Sequence, residues 1–219
     1  MIEKATSYRF KVYDKIKEDI ITGQYSQGEI LNERKLSDLL GVSRTPIREA
    51  LQLLDADGWV VYEPYKGTIV RTFDPDYYKS VFNVRRVLEI LVVEEAVRNI
   101  TDSDIHSLEL IINEQNKLLS AVNEDEFMKL DSRFHEEIYK ISKNKIAKEI
   151  LDKFRDIIRF YGIRSLKINS RRADTFDEHY DIFKSIIKRD VAQAKNAMEH
   201  HMFKAEELIS STIRKEISR

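Results

Sequence analysis

The sequence contains no cysteine, so disulfide bonds are excluded and the composition gives no sign of secretion. Long hydrophobic runs are also missing. The longest strongly apolar stretch, near residues 90–93, is far too short to span a bilayer, and the amino-terminal MIEKATSYRF lacks the apolar segment of a secretion signal. We therefore expect a soluble, cytoplasmic protein with no membrane partner.

Proline and glycine, which interrupt helices, are almost confined to the first third of the chain. All three prolines and five of the six glycines lie at or before residue 75, and residues 76–219 contain only Gly162. A segment of that length, rich in Leu, Ile, Glu and Lys, is predicted to be entirely helical. The sequence thus predicts a mainly α protein with two domains, residues 1–73 and residues 74–219.

Capping and turn signals divide the second domain into about six helices. The predicted ranges are 75–99, 102–122, 124–142, 145–168, 171–188 and 190–217. The predicted caps are Asp74 before Pro75, Thr101 or Ser103, Asn123, Asn144, Ser170 and Asp190. The second domain is therefore predicted to be an all-helical bundle.

The stretch LSDLLGVSRTPIREALQLL, residues 36–54, is predicted to form two short helices joined by a tight turn. Gly41 is the residue that can adopt a positive φ where the first helix ends. Ser43 or Thr45 can cap the second helix, and Pro46 suits its first turn. The apolar stripe of the second helix, which is predicted to face the core, consists of Ile47, Ala50, Leu51 and Leu54.

The amino-terminal end of that second helix leaves Arg44, Thr45 and Arg48 for solvent. Two arginines and a hydroxyl suit guanine edges and phosphates, as in the recognition helix of a helix-turn-helix. The alternative is an ordinary helical hairpin with a solvated, charged end. Two β-prone runs follow, WVVY and GTIV, joined by the turn EPYK, and this hairpin favours a winged helix-turn-helix.

Neither sign of charge is in excess. The formal net charge is −1, and residues 1–73 contain eleven Lys and Arg against eleven Asp and Glu. The strong basic excess of many nucleic-acid binders is therefore missing. Positive charge is concentrated locally at Arg34, Lys35, Arg44 and Arg48, so we expect specific, dimer-assisted DNA binding rather than strong non-specific affinity.

The stretch GEILNERKLSDLLGVSRTPIREALQLLDADGWVVYEPYKGTIV resembles the DNA-binding domain of the GntR family of bacterial transcription regulators. The resemblance covers about the first third of the chain. It implies that the DNA-binding residues are Arg34, Ser43, Arg44, Thr45, Arg48, Lys66 and Gly67. Gly67 suits the wing tip physically, because a backbone without a side chain can enter the minor groove closely.

Polar side chains interrupt the apolar stripes of three helices in the second domain. Asp131 and His135 lie four residues apart on the face that carries Phe134, while His179 and His201 interrupt the stripes of the fifth and sixth helices. The turn between those two helices lies near residue 189, ten residues after His179 and twelve before His201. At about 1.5 Å per residue the two imidazoles reach a similar height, so they can meet.

A single inward histidine is more often a satisfied core residue than a ligand. Three such histidines and an aspartate, each on an apolar face, are harder to neutralise without a cation. The set Asp131, His135, His179 and His201 suits a divalent transition metal such as zinc, nickel, iron or manganese, with open positions for another ligand. His106 and His200 are predicted to face solvent.

The strings LDSRFHEEIYKISKN and EHYDIFKSIIKRDVAQAKNAMEHHM are similar to the FCD-type ligand-binding domain of the FadR subfamily. The metal-binding Asp and three His of that family correspond to Asp131, His135, His179 and His201. Six helices resemble the VanR-like branch. The resemblance implies a small carboxylate effector and a homodimeric regulator, usually a repressor, that binds a palindromic operator.

Arg85 lies on an inward stripe of the first helix of the second domain, close to Glu89. One interpretation is a buried ion pair between these residues, four positions apart. The other, favoured by the family resemblance, is a guanidinium that binds the carboxylate of the effector.

A metal-dependent hydrolase is the alternative function, because three His and one carboxylate with open coordination can activate water. The helix-turn-helix argues against it, since an enzyme has no need of Arg44, Thr45 and Arg48 presented beside a wing. We therefore expect a regulator and not an enzyme.

Overall fold

The computed structural model describes the backbone of residues 2–73, 75–120, 123–169 and 171–217, with side chains within 8–73, 76–120, 123–166 and 171–212. The chain divides into two compact units, Met1–Asp74 and Pro75–Arg219. Each unit has its own apolar core. We call them the winged unit and the helical unit.

The winged unit contains three helices and a small sheet within the described residues. Its elements are α1 (Ile2–Thr22), β1 (Ile30–Leu31), α2 (Glu33–Leu40), α3 (Arg44–Ala56), β2 (Val60–Glu63) and β3 (Gly67–Val70). The predicted winged helix-turn-helix is confirmed. The stripe of α1 is buried at Val12, Ile16, Ile20 and Ile21, and it packs in the core with the buried stripe of α3.

Strand β1 was not predicted, because two residues are too short to leave an alternating pattern. The sequence places residues 24–30 in a loop, whereas Ile30 pairs with Ile69 and Leu31 with Thr68. The antiparallel sheet has the order β1-β3-β2, and β2 pairs with β3 through the predicted hairpin. The added strand fixes the base of the wing next to α2.

The turn between α2 and α3 differs from the prediction in one detail. Gly41 has φ of 64° and ends α2 in the left-handed conformation, as predicted. Ser43 occupies the N-cap position of α3, but its hydroxyl makes no capping hydrogen bond, and Thr45 lies inside the helix. The side chain that caps a helix here is Asn32, which accepts hydrogen bonds from the first backbone N–H groups of α2.

The helical unit forms the predicted bundle of six helices within the described residues. They are α4 (Pro75–Asn99), α5 (Asp102–Leu118), α6 (Glu124–Ser142), α7 (Lys145–Asn169), α8 (Arg172–Ile187) and α9 (Val191–Ile217). Thr101 and Asn123 are the N-caps of α5 and α6, and Asn144 and Asp190 accept hydrogen bonds from the first turns of α7 and α9. The predicted caps Asp74 and Ser170 lie outside the described residues.

The core of the helical unit brings α4, α6, α8 and α9 around one apolar cluster. Its fully buried members include Val92, Val93, Phe134, Ile182 and Met198. Three of these helices, α6, α8 and α9, carry the four predicted metal ligands, so the candidate site lies among the helices that form this core. None of the helices searched among the described residues is long and apolar enough to cross a membrane.

Candidate functional site

Helix α3 presents its charged end to solvent, as the sequence predicts. Arg44, Thr45 and Arg48 are exposed, while the stripe on the opposite face is buried. Arg34 and Ser43 are exposed as well. This arrangement leaves the amino-terminal turns of α3 open to a nucleic-acid groove.

Glu33, at the start of α2, brings the two arginines of α3 together. Arg48 donates from Nε to Oε1 of Glu33 at 3.1 Å and from a terminal nitrogen to Oε2 at 2.9 Å, and Arg44 donates to the same Oε2 at 3.1 Å. The hydrogen bonds from Arg48 and Arg44 lower the pKa of Glu33, against the opposing effect of its partial burial. No local pattern in the sequence indicates this contact, because Glu33 lies on a different helix.

The wing tip carries Lys66 and Gly67, with Lys66 Nζ 2.7 Å from Oε2 of Glu63. Gly67 has φ of 97°, a conformation that favours glycine. Tyr65 precedes them in the left-handed conformation and is fully exposed. An aromatic side chain with such a backbone is uncommon, and here it extends the surface formed by the wing.

The four predicted metal-ligating residues meet in the core of the helical unit. Asp131, His135, His179 and His201 are all buried, and one ligand atom from each lies within 4.8 Å of the others. Nε2 of His135 is 3.2 Å from Nε2 of His201, and Nε2 of His179 is 3.4 Å from Oδ1 of Asp131. The helices α6, α8 and α9 thus bring together side chains up to 70 residues apart in sequence, from position 131 to position 201.

A separate acceptor faces the outer nitrogen of each imidazole. The Nδ1 contacts are His135 to Glu89 at 3.1 Å, His179 to Gln115 at 3.1 Å and His201 to Glu178 at 2.8 Å. Because carboxylate and amide oxygens only accept hydrogen bonds, each Nδ1 carries the proton. The three Nε2 atoms then carry lone pairs, and those of His135 and His201 face each other while that of His179 faces Asp131.

This donor set fits a divalent transition metal. Bonds of about 2.1 Å place neighbouring donors about 3.0 to 3.4 Å apart, which is the spacing of the two closest pairs here. The Nε2 atom of His179 is buried and has no hydrogen-bond partner among the described residues. A buried lone pair without a partner is costly, and a metal ion would supply the partner.

The electrostatics of the site favour neutral imidazoles at His179 and His201. Burial holds the pKa of His179 well below its ordinary value, and the neighbouring His201 and His135 act in the same direction. Burial also lowers the pKa of His201, followed by the effects of His135 and Arg85. Burial raises the pKa of Asp131. Neutral imidazole is the form that binds a metal, and a bound cation would favour ionised Asp131.

Arg85 forms the ion pair with Glu89 that the sequence offered as one interpretation. Its Nε donates to Oε1 of Glu89 at 3.0 Å, and both side chains are buried. Burial opposes ionisation of Glu89, but His135, Arg85 and a hydrogen bond from Tyr139 lower its pKa to about 2. Glu89 therefore connects Arg85 to His135, one of the predicted metal ligands.

Arg85 and Asp131 also line two cavities that adjoin the four predicted metal-ligating residues. The first is bordered by polar side chains, among them Glu136, Asp152 and Arg155. The second is larger and mainly apolar, and His201 lines its wall. A small molecule in either cavity can therefore reach both the cluster and the Arg85 guanidinium.

Two family models match the chain along most of its length. Residues 9–70 match the model described as bacterial regulatory proteins of the gntR family, and residues 80–204 match the FCD domain. The chain belongs to the GntR family. It is a transcription regulator with an N-terminal GntR helix-turn-helix domain and a C-terminal FCD ligand-binding domain.

Relatives of this GntR-family regulator match it over most of both chains. The HTH-type transcriptional regulator YdhC of Bacillus subtilis is 30% identical over 91% of this chain and 90% of its own. The HTH-type transcriptional repressor RspR of Escherichia coli is 26% identical over 88% of this chain and 84% of its own. A GntR regulator structure from Rhodococcus sp. RHA1 superposes with a TM-score of 0.78 at 19% identity, covering 93% and 97% of the two chains, and it shows the fold.

The matched families and relatives are transcription regulators, not enzymes. The hydrolase alternative is thereby set aside. Glu178 accepts a hydrogen bond from Nδ1 of His201. His106 and His200 are exposed, in agreement with their predicted positions.

Proposed function

We propose that this GntR-family regulator is a cytoplasmic repressor that binds a palindromic operator as a homodimer and is controlled by a small carboxylate at a metal site. One observation supports control by a carboxylate at a metal site. Three histidines and one aspartate meet in the core of the helical unit, beside the Arg85 guanidinium. A metal held by Asp131, His135, His179 and His201 would supply a Lewis acid that accepts a carboxylate oxygen. Arg85, which lines both adjoining cavities, would bind the other oxygen.

DNA recognition is assigned to the winged unit, residues 1–73. Arg44 and Arg48 would exchange Glu33 for guanine edges in the major groove, with Thr45 beside them. Lys66 and Gly67 would place the wing against the minor groove, and Arg34 and Ser43 would contact phosphates. The exposure of these side chains supports the assignment.

Dimerisation is assigned to the helical unit, residues 74–219. Helix α4 exposes Val84, Val87 and Leu91, spaced three and four residues apart, on one stripe. An apolar stripe of this kind on the surface of a helix suits a partner helix. A twofold dimer would place two recognition helices on the two halves of a palindrome, and the relative RspR, named a repressor, supports the direction of control.

The coupling between the two sites would run through α4, which carries Arg85 and begins directly after the winged unit in the chain. An effector changes DNA affinity only as far as it prefers one conformation over another. A carboxylate that bridges the metal and Arg85 would shift α4 and with it the spacing of the recognition helices. A typical coupling would change operator affinity about 5- to 150-fold.

The proposal is tested with duplexes selected from a random pool by the purified protein. Metal content is measured by elemental analysis, and gel shifts on the selected duplex are repeated with metal-loaded and metal-free protein over a panel of mono-, di- and tricarboxylates. We expect a palindromic selected sequence, about one transition ion per chain, and a change in affinity with a carboxylate that requires metal. A protein that binds its selected duplex equally under all these conditions would contradict the proposed control.

A further inference from the structure

The second cavity beside the cluster has one polar end and an apolar body, and we call it the apolar chamber. Asp131, His201 and Arg85 belong to its polar end, together with Thr175, Glu178, which contacts His201, and Arg171, which pairs with Glu178. Its apolar walls are formed by Phe82, Phe127, Ile158, Leu166, Leu208 and Ile209. The cavity volume is about 50 Å³, which is enough for a few water molecules.

The two cavities differ in a way that orients a ligand. Both reach Arg85 and Asp131, but the first adds Glu136, Asp152 and Arg155, whereas aliphatic and aromatic side chains dominate the walls of the apolar chamber. Placing a second carboxylate among those walls would require desolvation without a free cationic partner, because Arg171, the other cation that lines the chamber, is already paired with Glu178. The chamber therefore suits the hydrocarbon body of a ligand whose carboxylate lies at the cluster.

Ser165 is an exception among the buried serines of this unit. The hydroxyl of Ser142 donates to the carbonyl three residues earlier at 2.7 Å, and that of Ser185 donates to the carbonyl four residues earlier at 2.8 Å. Ser165 lines the apolar chamber, is only 1% exposed, and its Oγ has no hydrogen-bond partner among the described residues. A buried hydroxyl left without a partner is unfavourable, and a polar atom of a ligand in the chamber would supply that partner.

Gly162, one helical turn before Ser165, keeps the chamber open. It is the single glycine after residue 75 and lies inside α7, where glycine is a poor helix former. A Cβ at this position would lie 2.4 Å from Cε and 2.6 Å from Sδ of Met128. Because Met128 also lines the chamber, any side chain at position 162 would displace its thioether end.

We infer that the effector is an amphipathic monocarboxylate, with an aliphatic body in the apolar chamber and one oxygen within reach of Ser165. This inference rests on the proposed function and specifies the ligand class of the same site. The carboxylate lies at the cluster beside Arg85, and the body follows the walls past Met128. Short dicarboxylates fit less well, because their second charge would enter the apolar part.

The first test measures calorimetric affinity of the full-length, metal-loaded protein for acetate, butanoate, hexanoate and butanedioate. Affinity should rise roughly fourfold per methylene until the chamber is filled, as expected for buried hydrocarbon. Butanedioate should bind more weakly than butanoate. In Gly162→Ala the gain with chain length should disappear while acetate affinity stays the same. Ala205→Leu, which narrows the chamber from the side of α9, is a second variant with the same expected result. Thermal melting and metal content show whether both variants fold.

The second test compares hexanoate with its 3-, 4- and 5-oxo derivatives. At least one derivative should bind about tenfold tighter than hexanoate, by accepting a hydrogen bond from Ser165. Ser165→Ala should abolish that preference without changing hexanoate affinity. Ser185→Ala, whose hydroxyl donates within its own helix, is the matched control and should keep the preference.

The outcomes separate the two claims. Carboxylates that bind the metal-loaded protein with an affinity independent of chain length would overturn the apolar chamber as the effector site and leave the metal anchor intact. If no carboxylate binds metal-loaded protein or changes the gel shift, the proposed function and this inference are both wrong. A preference for oxo-hexanoates that survives in Ser165→Ala would overturn the assignment of Ser165.

Discussion

Two arginine–glutamate pairs of nearly equal length lie in opposite environments in the two units. In the winged unit, Arg48 is 2.9 Å from Glu33, with side-chain exposures of 59% and 27%. In the helical unit, Arg85 is 3.0 Å from Glu89, with exposures of 6% and 0%. The chemistry of the pairs is the same, so their different roles follow from burial.

Exposure makes the first pair exchangeable. An ion pair in water contributes little to stability, so Arg48 can leave Glu33 for a guanine or a phosphate at small cost. The second pair is fixed, since a buried charge that loses its partner is strongly destabilising. It holds Glu89 against His135 and thereby sets the proton on that ligand. The surface pair suits a binding site that changes partner, and the buried pair suits a site whose geometry must not change.

The largest effect is expected from a substitution that breaks the buried pair. Arg85→Ala should lower the free energy of unfolding by about 3 to 5 kcal/mol, because Glu89 is left buried and unpaired. Arg48→Ala should leave the free energy of unfolding unchanged within the error of urea denaturation, because the side chains of both Arg48 and Glu33 reach solvent. Equal losses in the two variants would show that burial is not what distinguishes the pairs.

Metal removal should produce the next largest effect and should be confined to the helical unit. At free metal one hundred times its dissociation constant, binding to the folded state alone stabilises it by about 2.7 kcal/mol. A chelator should therefore lower the melting temperature of the wild type. His201→Ala should lose the metal and become insensitive to the chelator, as should His179→Ala.

The neighbouring histidine provides the control for that experiment. His200 is exposed and His201 is buried, although they are adjacent in sequence. His200→Ala should retain about one ion per chain by elemental analysis, as should His106→Ala. Equal metal retention in His200→Ala and His201→Ala would contradict the assignment of the ligands.

The two units were predictable from the sequence to different depths. The winged helix-turn-helix depends on local signals, such as Gly41 at the turn and the exposed Arg44 and Arg48, and these operate within a few residues. The four polar residues of the candidate metal site were predictable because each interrupts an apolar stripe. Helical periodicity then places His179 and His201 at one height.

The partners of those residues depend on packing between helices, which leaves no local signal. Glu89, Gln115 and Glu178 lie 46, 64 and 23 residues from the histidines they contact. Gln115 could have been recognised, because it follows the buried Ile111 and Ile112 on the stripe of α5. Glu33 could not, since its contact with Arg48 depends on the angle between α2 and α3.

Substitutions in the exposed pair should change the affinity for DNA and not the free energy of unfolding. Arg48→Ala should weaken binding to the selected duplex about 5- to 150-fold and relax preference at one position of each half-site. Lys66→Ala should weaken binding to the selected duplex and to random duplexes by a similar factor, and it should reduce the salt dependence of binding. Fluorescence anisotropy at several salt concentrations measures both. A wild-type ratio of selected to random affinity in Arg48→Ala would show that Arg48 does not discriminate bases.

The smallest expected effect is a dependence of stability on pH that belongs to the helical unit alone, since all five histidines lie after residue 75. Burial holds the pKa values of His179 and His201 well below the ordinary value of 6.5. Between those folded-state values and 6.5 the unfolded chain binds more protons than the folded chain, so stability is complete above pH 6.5 and falls as the pH is lowered.

For metal-free protein the two residues together should reduce the free energy of unfolding by about 1.4 kcal/mol between pH 7 and pH 6. Urea denaturation at the two pH values measures this difference. His179→Gln should remove about half of it, because one titrating group is lost, whereas His106→Gln, at an exposed position, should keep it whole. A free energy of unfolding that is the same at pH 7 and pH 6 would mean that His179 and His201 are not kept neutral by burial. The convergence of unprotonated Nε2 atoms, on which the metal site depends, would then be wrong as well.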